Sequence, residues 1–116
     1  MKPEKLIINN QYILSDPKLI EHFKSDNIIY LGIDKNDLHN APYCFLSKNV
    51  DCYDDCFKLK WEVDSIEDLL KYHNISYIKE NYYLIYNNNF IAFLPEERLK
   101  YLKPNLQDKL KNILNR

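Results

Sequence analysis

Residues 75–94 read ISYIKENYYLIYNNNFIAFL, and the parsing of this stretch decides the fold. Its β-branched and aromatic residues favour extended backbone, while asparagine tolerates the left-handed conformation that tight turns demand. The stretch therefore parses as three short strands, with turns at Glu80-Asn81 and at Asn87-Asn88-Asn89. The middle segment, Tyr82–Tyr86, is apolar at every position. Side chains alternate between the two faces of a sheet, so such a strand belongs in the sheet interior with a cover on each face.

The covers are sought on either side. Toward the N-terminus, Asp64 and Ser65 each precede an acid by three residues (Glu67, Asp68), the pattern of a capping box, and Ile66, Leu69, Leu70 and His73 form the expected buried stripe of a helix. Before it, Phe57–Val63 alternates: Phe57, Leu59, Trp61 and Val63 share one face, and Lys58, Lys60 and Glu62 the other, as in a half-buried strand. Further upstream, Tyr43–Ser47 and Asn27–Ile33 read as apolar strands, and Ser15-Asp16-Pro17 opens a short helix through Ser25. Residues 5–14 read as a hairpin about Asn9-Asn10. Toward the C-terminus, Pro95 opens a segment in which Leu99, Leu102, Leu106, Leu110, Ile113 and Leu114 recur at helical spacing, broken by Pro104. The predicted architecture is α+β: one domain over residues 1–116, with a mostly antiparallel sheet of about five to six strands, two to three short helices, and a leucine-striped helical segment from about residue 95.

The bounds set by composition agree. A chain of 116 residues with 46% hydrophobic and 28% charged side chains is an ordinary one-domain globular protein. Net charge is −1, so the chain as a whole is neither a polycation nor a polyanion. No run approaches the ~18 apolar residues that span a bilayer, and the opening MKPEKLIINN has no apolar signal segment, so a cytoplasmic protein without membrane association is expected. The leucine stripe is short, carries Lys109 on its would-be seam and is interrupted by Pro104; docking on the chain's own sheet, as a monomer, is the expected use. Gly32 is the single glycine. Phosphate-cradling loops, dinucleotide fingerprints and nucleophile elbows need several, so none is built here, and no cofactor is expected.

Four groups of residues carry the candidate chemistry. His39, Cys44, Cys52 and Cys56 comprise a zinc-type ligand set. The Cys52–Cys56 spacing suits a metal, but His39–Cys44 is loose and no glycine follows either pair, so buried or spectator cysteines are the favoured reading and no metal is expected. Asp34, Asp37 and His39 on one loop, with Asp51, Asp54 and Asp55 on the next, would supply the carboxylates of a small hydrolase or nuclease if the loops converged. From Arg98 to Arg116 there are six basic residues against one acid, the footprint of a nucleic-acid-binding helix, although only Tyr101 is available for base stacking. From Asp51 to Asp68 there are seven acids against two lysines.

Asp64, Glu67 and Asp68 are accounted for by a helix N-terminus, where acids oppose the dipole. Asp51, Tyr53, Asp54 and Asp55 serve neither strand nor cap. A tyrosine among three carboxylates suits docking on a basic protein surface, where charge steers encounter and the ring anchors it. The preferred reading is a small non-catalytic binding domain of inhibitor or immunity type, with Asp51, Tyr53, Asp54 and Asp55 on the partner. The nucleic-acid module and the small hydrolase or nuclease are the alternatives.

Overall fold

The computed structural model describes residues 1–23, 25–36, 40–47 and 59–105. In chain order these hold strand β1 (Gln11–Leu14), helix α1 (Pro17–Phe23), strands β2 (Asn27–Ile33), β3 (Tyr43–Ser47) and β4 (Leu59–Glu62), helices α2 (Ile66–Leu70) and α3 (Ile75–Asn81), and strands β5 (Tyr82–Tyr86), β6 (Asn89–Leu94) and β7 (Leu102–Pro104). Short 3-10 helices cover Pro3–Lys5 and Glu96–Tyr101. The strands form one sheet in the order β4-β5-β6-β3-β2-β1-β7, seven strands where five to six are predicted. All pairs are antiparallel except β4–β5, which is parallel. The Cα radius of gyration of 14.0 Å matches the ~13 Å expected of one compact unit of this length.

The alternation of side chains divides the core into two layers. On one face, Ile28, Tyr30, Tyr43, Phe45, Phe90, Ala92 and Leu94 pack with Phe23 of α1 and with Leu99. On the other, Leu31, Cys44, Leu46, Leu84 and Ile91 pack with Leu69 of α2 and with Ile75 and Ile78 of α3. The parallel β4–β5 pair explains why α2 and α3 share a face: parallel neighbours need a crossover, and these helices are that crossover. Strand β5 is interior, between β4 and β6, with Leu84 and Ile85 both buried. Its hairpin to β6 turns on Asn87 (φ 48°) and Asn88 (φ 63°), the left-handed pair that a two-residue hairpin requires.

Several expectations are corrected. Residues 75–80 are helical, not extended: the buried pair is Ile75 and Ile78, three apart, while Ser76, Tyr77 and Glu80 are exposed. Their strand propensity yields to packing of that spacing on the sheet. The hairpin about Asn9-Asn10 is a single turn. Asn9 is left-handed (φ 72°), but its N–H donates to the Tyr30 carbonyl at 2.7 Å and the Tyr30 N–H donates to the Asn10 carbonyl, so this turn prolongs the β1–β2 pairing. His73 is exposed and takes no part in the α2 stripe. Leu99 and Leu102 are buried, yet residues 96–104 are a 3-10 helix followed by a strand rather than a continuous α-helix; Leu106, Leu110, Ile113 and Leu114 lie outside the described residues. Pro104 is tolerated because β7 is an edge strand, where a missing N–H costs no ladder bond.

Candidate docking face

The predicted docking residues Asp51, Tyr53, Asp54 and Asp55 lie outside the described residues, as do Asp37, His39, Cys52 and Cys56. The acidic segment runs in sequence into β4, the outermost strand of the sheet at that end. Of the alternating residues Phe57–Val63, Phe57 and Lys58 lie outside the described residues, and all four residues of β4 are exposed. Leu59 is 72% and Trp61 37% exposed, and only Val63 is buried. Among the described residues β4 has a neighbouring strand on one side alone. Trp61 is held by an edge-on contact with Tyr82 on β5, 4.9 Å between centroids at 80°. Tyr72 and Tyr77, on the crossover, are also exposed.

Between β4 and α2 lies a notch of about 190 Å³, lined on its walls by Trp61, Tyr72 and Leu69 and bordered by Glu62, Asp64 and Asp68. None of these three carboxylates has an ion-pair partner among the described residues. Ser65, not Asp64, is the helix cap: its hydroxyl accepts from the Asp68 N–H at 3.3 Å. Asp64 is left facing solvent. Glu67 points elsewhere, to Lys71 at 2.9 Å, and that pairing holds its carboxyl below the usual range through a side-chain hydrogen bond first and charge second.

The hydrolase carboxylate Asp34 is not at any open site. Its side chain is fully buried and pairs with Lys79 of α3 at 3.3 Å; its other oxygen accepts from the Asn36 N–H at 2.9 Å. The Lys79 ammonium also donates to the Ala41 carbonyl at 2.9 Å and sits 4.0 Å over the Phe93 ring. A carboxylate committed in this way is a structural staple. Cys44, the one described member of the zinc-type set, is a free, buried thiol on the inner face of β3, and desolvation pushes its pKa up, away from the thiolate that binds metals. Among the described residues, no group of three or more His, Cys, Asp or Glu is placed to hold a metal ion.

Two of the basic residues from Arg98 onward are already engaged: Arg98 pairs with Asp16 at 3.5 Å, and Lys100 lies 5.1 Å over Tyr101. Lys103 is exposed on β7, and Lys109, Lys111 and Arg116 lie outside the described residues. The described part of this basic region therefore forms no helical stripe.

No protein-family model, curated protein or solved structure matches this chain. Among the described residues, no helix is long and apolar enough to cross a membrane. Sequence reasoning missed the exposure of Trp61 and the burial of Lys79. The first had a signal: Lys58, Lys60 and Glu62 in one short strand is the charged signature of a sheet edge. The second had none, since Asp34 and Lys79 stand 45 positions apart.

Proposed function

We propose that this protein is a non-catalytic binding domain of inhibitor or immunity type, which docks on a basic surface of a partner protein. The face we assign is the β4–α2 corner together with the acidic segment Asp51, Tyr53, Asp54 and Asp55, which precedes β4 in sequence. One observation carries the reading: Trp61, the only tryptophan of the chain, is partly exposed on an edge strand beside Glu62, Asp64 and Asp68, which are unpaired among the described residues. Tryptophan and tyrosine are the side chains most often found to carry binding energy at interfaces, and a surrounding field of one sign accelerates encounter with its opposite.

Affinity purification followed by titration of the purified pair tests this. A stoichiometric complex without turnover is expected, with association that slows as salt rises, because exposed charges are screened over about 8 Å at physiological ionic strength. Replacing Asp51, Asp54 and Asp55 with asparagine slows association; Tyr53→Ala and Trp61→Ala speed dissociation. Unchanged kinetics in all three variants refute the assigned face.

A further inference from the structure

On the opposite flank of α2 from the docking notch is a larger cleft of about 510 Å³. Its floor is the end of β2, with Leu31, Gly32 and Ile33; Ile66 and Leu70 of α2 form one wall, and Ile8 stands on the other side. The floor is shaped by a β-bulge between Tyr30 and Gly32, where the glycine takes φ +134°. A Cβ built there would stand 2.9 Å from Leu70 Cδ1 and displace that side chain, and the φ itself is one that glycine alone adopts without strain. The Asn36 side chain, donating to the Tyr72 carbonyl at 3.0 Å, ties the loop after β2 to the end of α2. The walls are thus set before any ligand arrives.

The polar groups at the rim are few. Lys35, Asn9 and Tyr86 line the cleft, none with a side-chain partner among the described residues, and of these three Lys35 alone is charged. The rim's one carboxylate, Glu67, is occupied by Lys71 at 2.9 Å. A pre-formed apolar cleft within the ~300–1,000 Å³ of small-molecule sites, with a few convergent polar groups, has the anatomy of a ligand site. Here the Lys35 ammonium, without an ion-pair partner among the described residues, favours an anion.

We propose that this cleft binds a medium-length acyl carboxylate, its chain lying along Ile8, Leu31, Ile66 and Leu70 and its carboxylate at the Lys35 ammonium. The site shares no lining residue with the docking notch, so this proposal stands or falls independently of the docking function.

The test is calorimetric titration of the full chain with decanoate, 1-decanol and decylammonium, each below its micellar concentration. Decanoate is expected to bind at one site, at least tenfold more tightly than decylammonium. Lys35→Glu should weaken decanoate at least tenfold and leave decanol within twofold. Leu70→Gln should abolish binding of both; because it also touches the core, Ile8→Glu at an exposed position provides the same test without risk to folding, and thermal melts report on each variant. Absence of saturable decanoate binding, equal affinity for decanoate and decylammonium, several ligands per chain, or an unaltered Lys35→Glu variant each overturns the proposal.

Discussion

Lys79→Met leaves the Asp34 carboxyl without its cation in a fully buried site. The side chains are isosteric enough that packing against Phe93 is retained, so the loss is electrostatic. Among the contacts that end are the ion pair at 3.3 Å, the bond to the Ala41 carbonyl at 2.9 Å, and the ammonium over the Phe93 ring at 4.0 Å. Stranding one member of a buried pair costs about 3–5 kcal/mol, and the loss of the Ala41 and Phe93 contacts overlaps with that figure rather than adding to it. Against a total stability of roughly 5–15 kcal/mol this is a large fraction, and at roughly 3–6 °C per kcal/mol for a domain of this size the melting point falls by about 10–30 °C. Asp34→Asn preserves an acceptor for the Asn36 N–H and should cost less, about 2–3 kcal/mol, because Lys79 keeps the Ala41 carbonyl and the Phe93 ring. The double variant should cost less than the sum of the two by at least ~1 kcal/mol, since neither charge is then abandoned. Urea unfolding of the four proteins closes the cycle. Losses below ~1 kcal/mol in both single variants, adding without coupling, refute the claim that this pair joins α3 to the loop before β3.

Three further outcomes follow from the fold. Leu84→Ala and Ile85→Ala should each cost about 2–5 kcal/mol in urea unfolding, because both side chains are 3% exposed on opposite faces of an interior strand. Ser65→Ala should cost about 1 kcal/mol and Asp64→Ala less, since the Ser65 hydroxyl accepts the Asp68 N–H; equal costs would place the cap elsewhere. Burial, first, and then neighbouring Tyr43, Cys44 and Tyr12 push the Tyr30 phenol up to about 12 from its usual 10. Its contribution is therefore fully present below pH 10 and is lost as pH rises toward 12, at most about 3 kcal/mol in all, and Tyr30→Phe should flatten that alkaline loss in urea melts between pH 9 and pH 12.

Much of this fold is legible in sequence where local chemistry and tertiary demand agree. The bounds of β2 and β3 follow from their unbroken apolar runs, the β5–β6 hairpin from its asparagines, and the α2 start from Ser65. Legibility fails where packing overrides propensity. Residues 75–80 look extended because isoleucine and tyrosine do, and a helix of seven residues is too short for its period to declare itself against that. In β4 the apolar alternation reads Leu59 and Trp61 as core, yet both stand in solvent; the charges of Lys60 and Glu62 are the signal of an edge strand that outweighs it. Asp34 reads as a loop acid available for catalysis because its partner lies on a distant helix. The apolar cleft beside α2 is invisible for the same reason, its lining being drawn from four separate segments.

Photo-crosslinking from position 61 tests the central claim most directly, because the covalent adduct captures whichever partner occupies the face. A photoreactive phenylalanine derivative in place of Trp61 is compared with the same residue in place of Lys103, which is exposed at the other edge of the sheet. The docking reading requires one discrete protein adduct from position 61 alone, weakened by high salt and lost when Asp51, Asp54 and Asp55 are replaced by asparagine. Adducts shared equally by both positions, crosslinking to nucleic acid instead of protein, or an adduct indifferent to salt and to the three substitutions would contradict it.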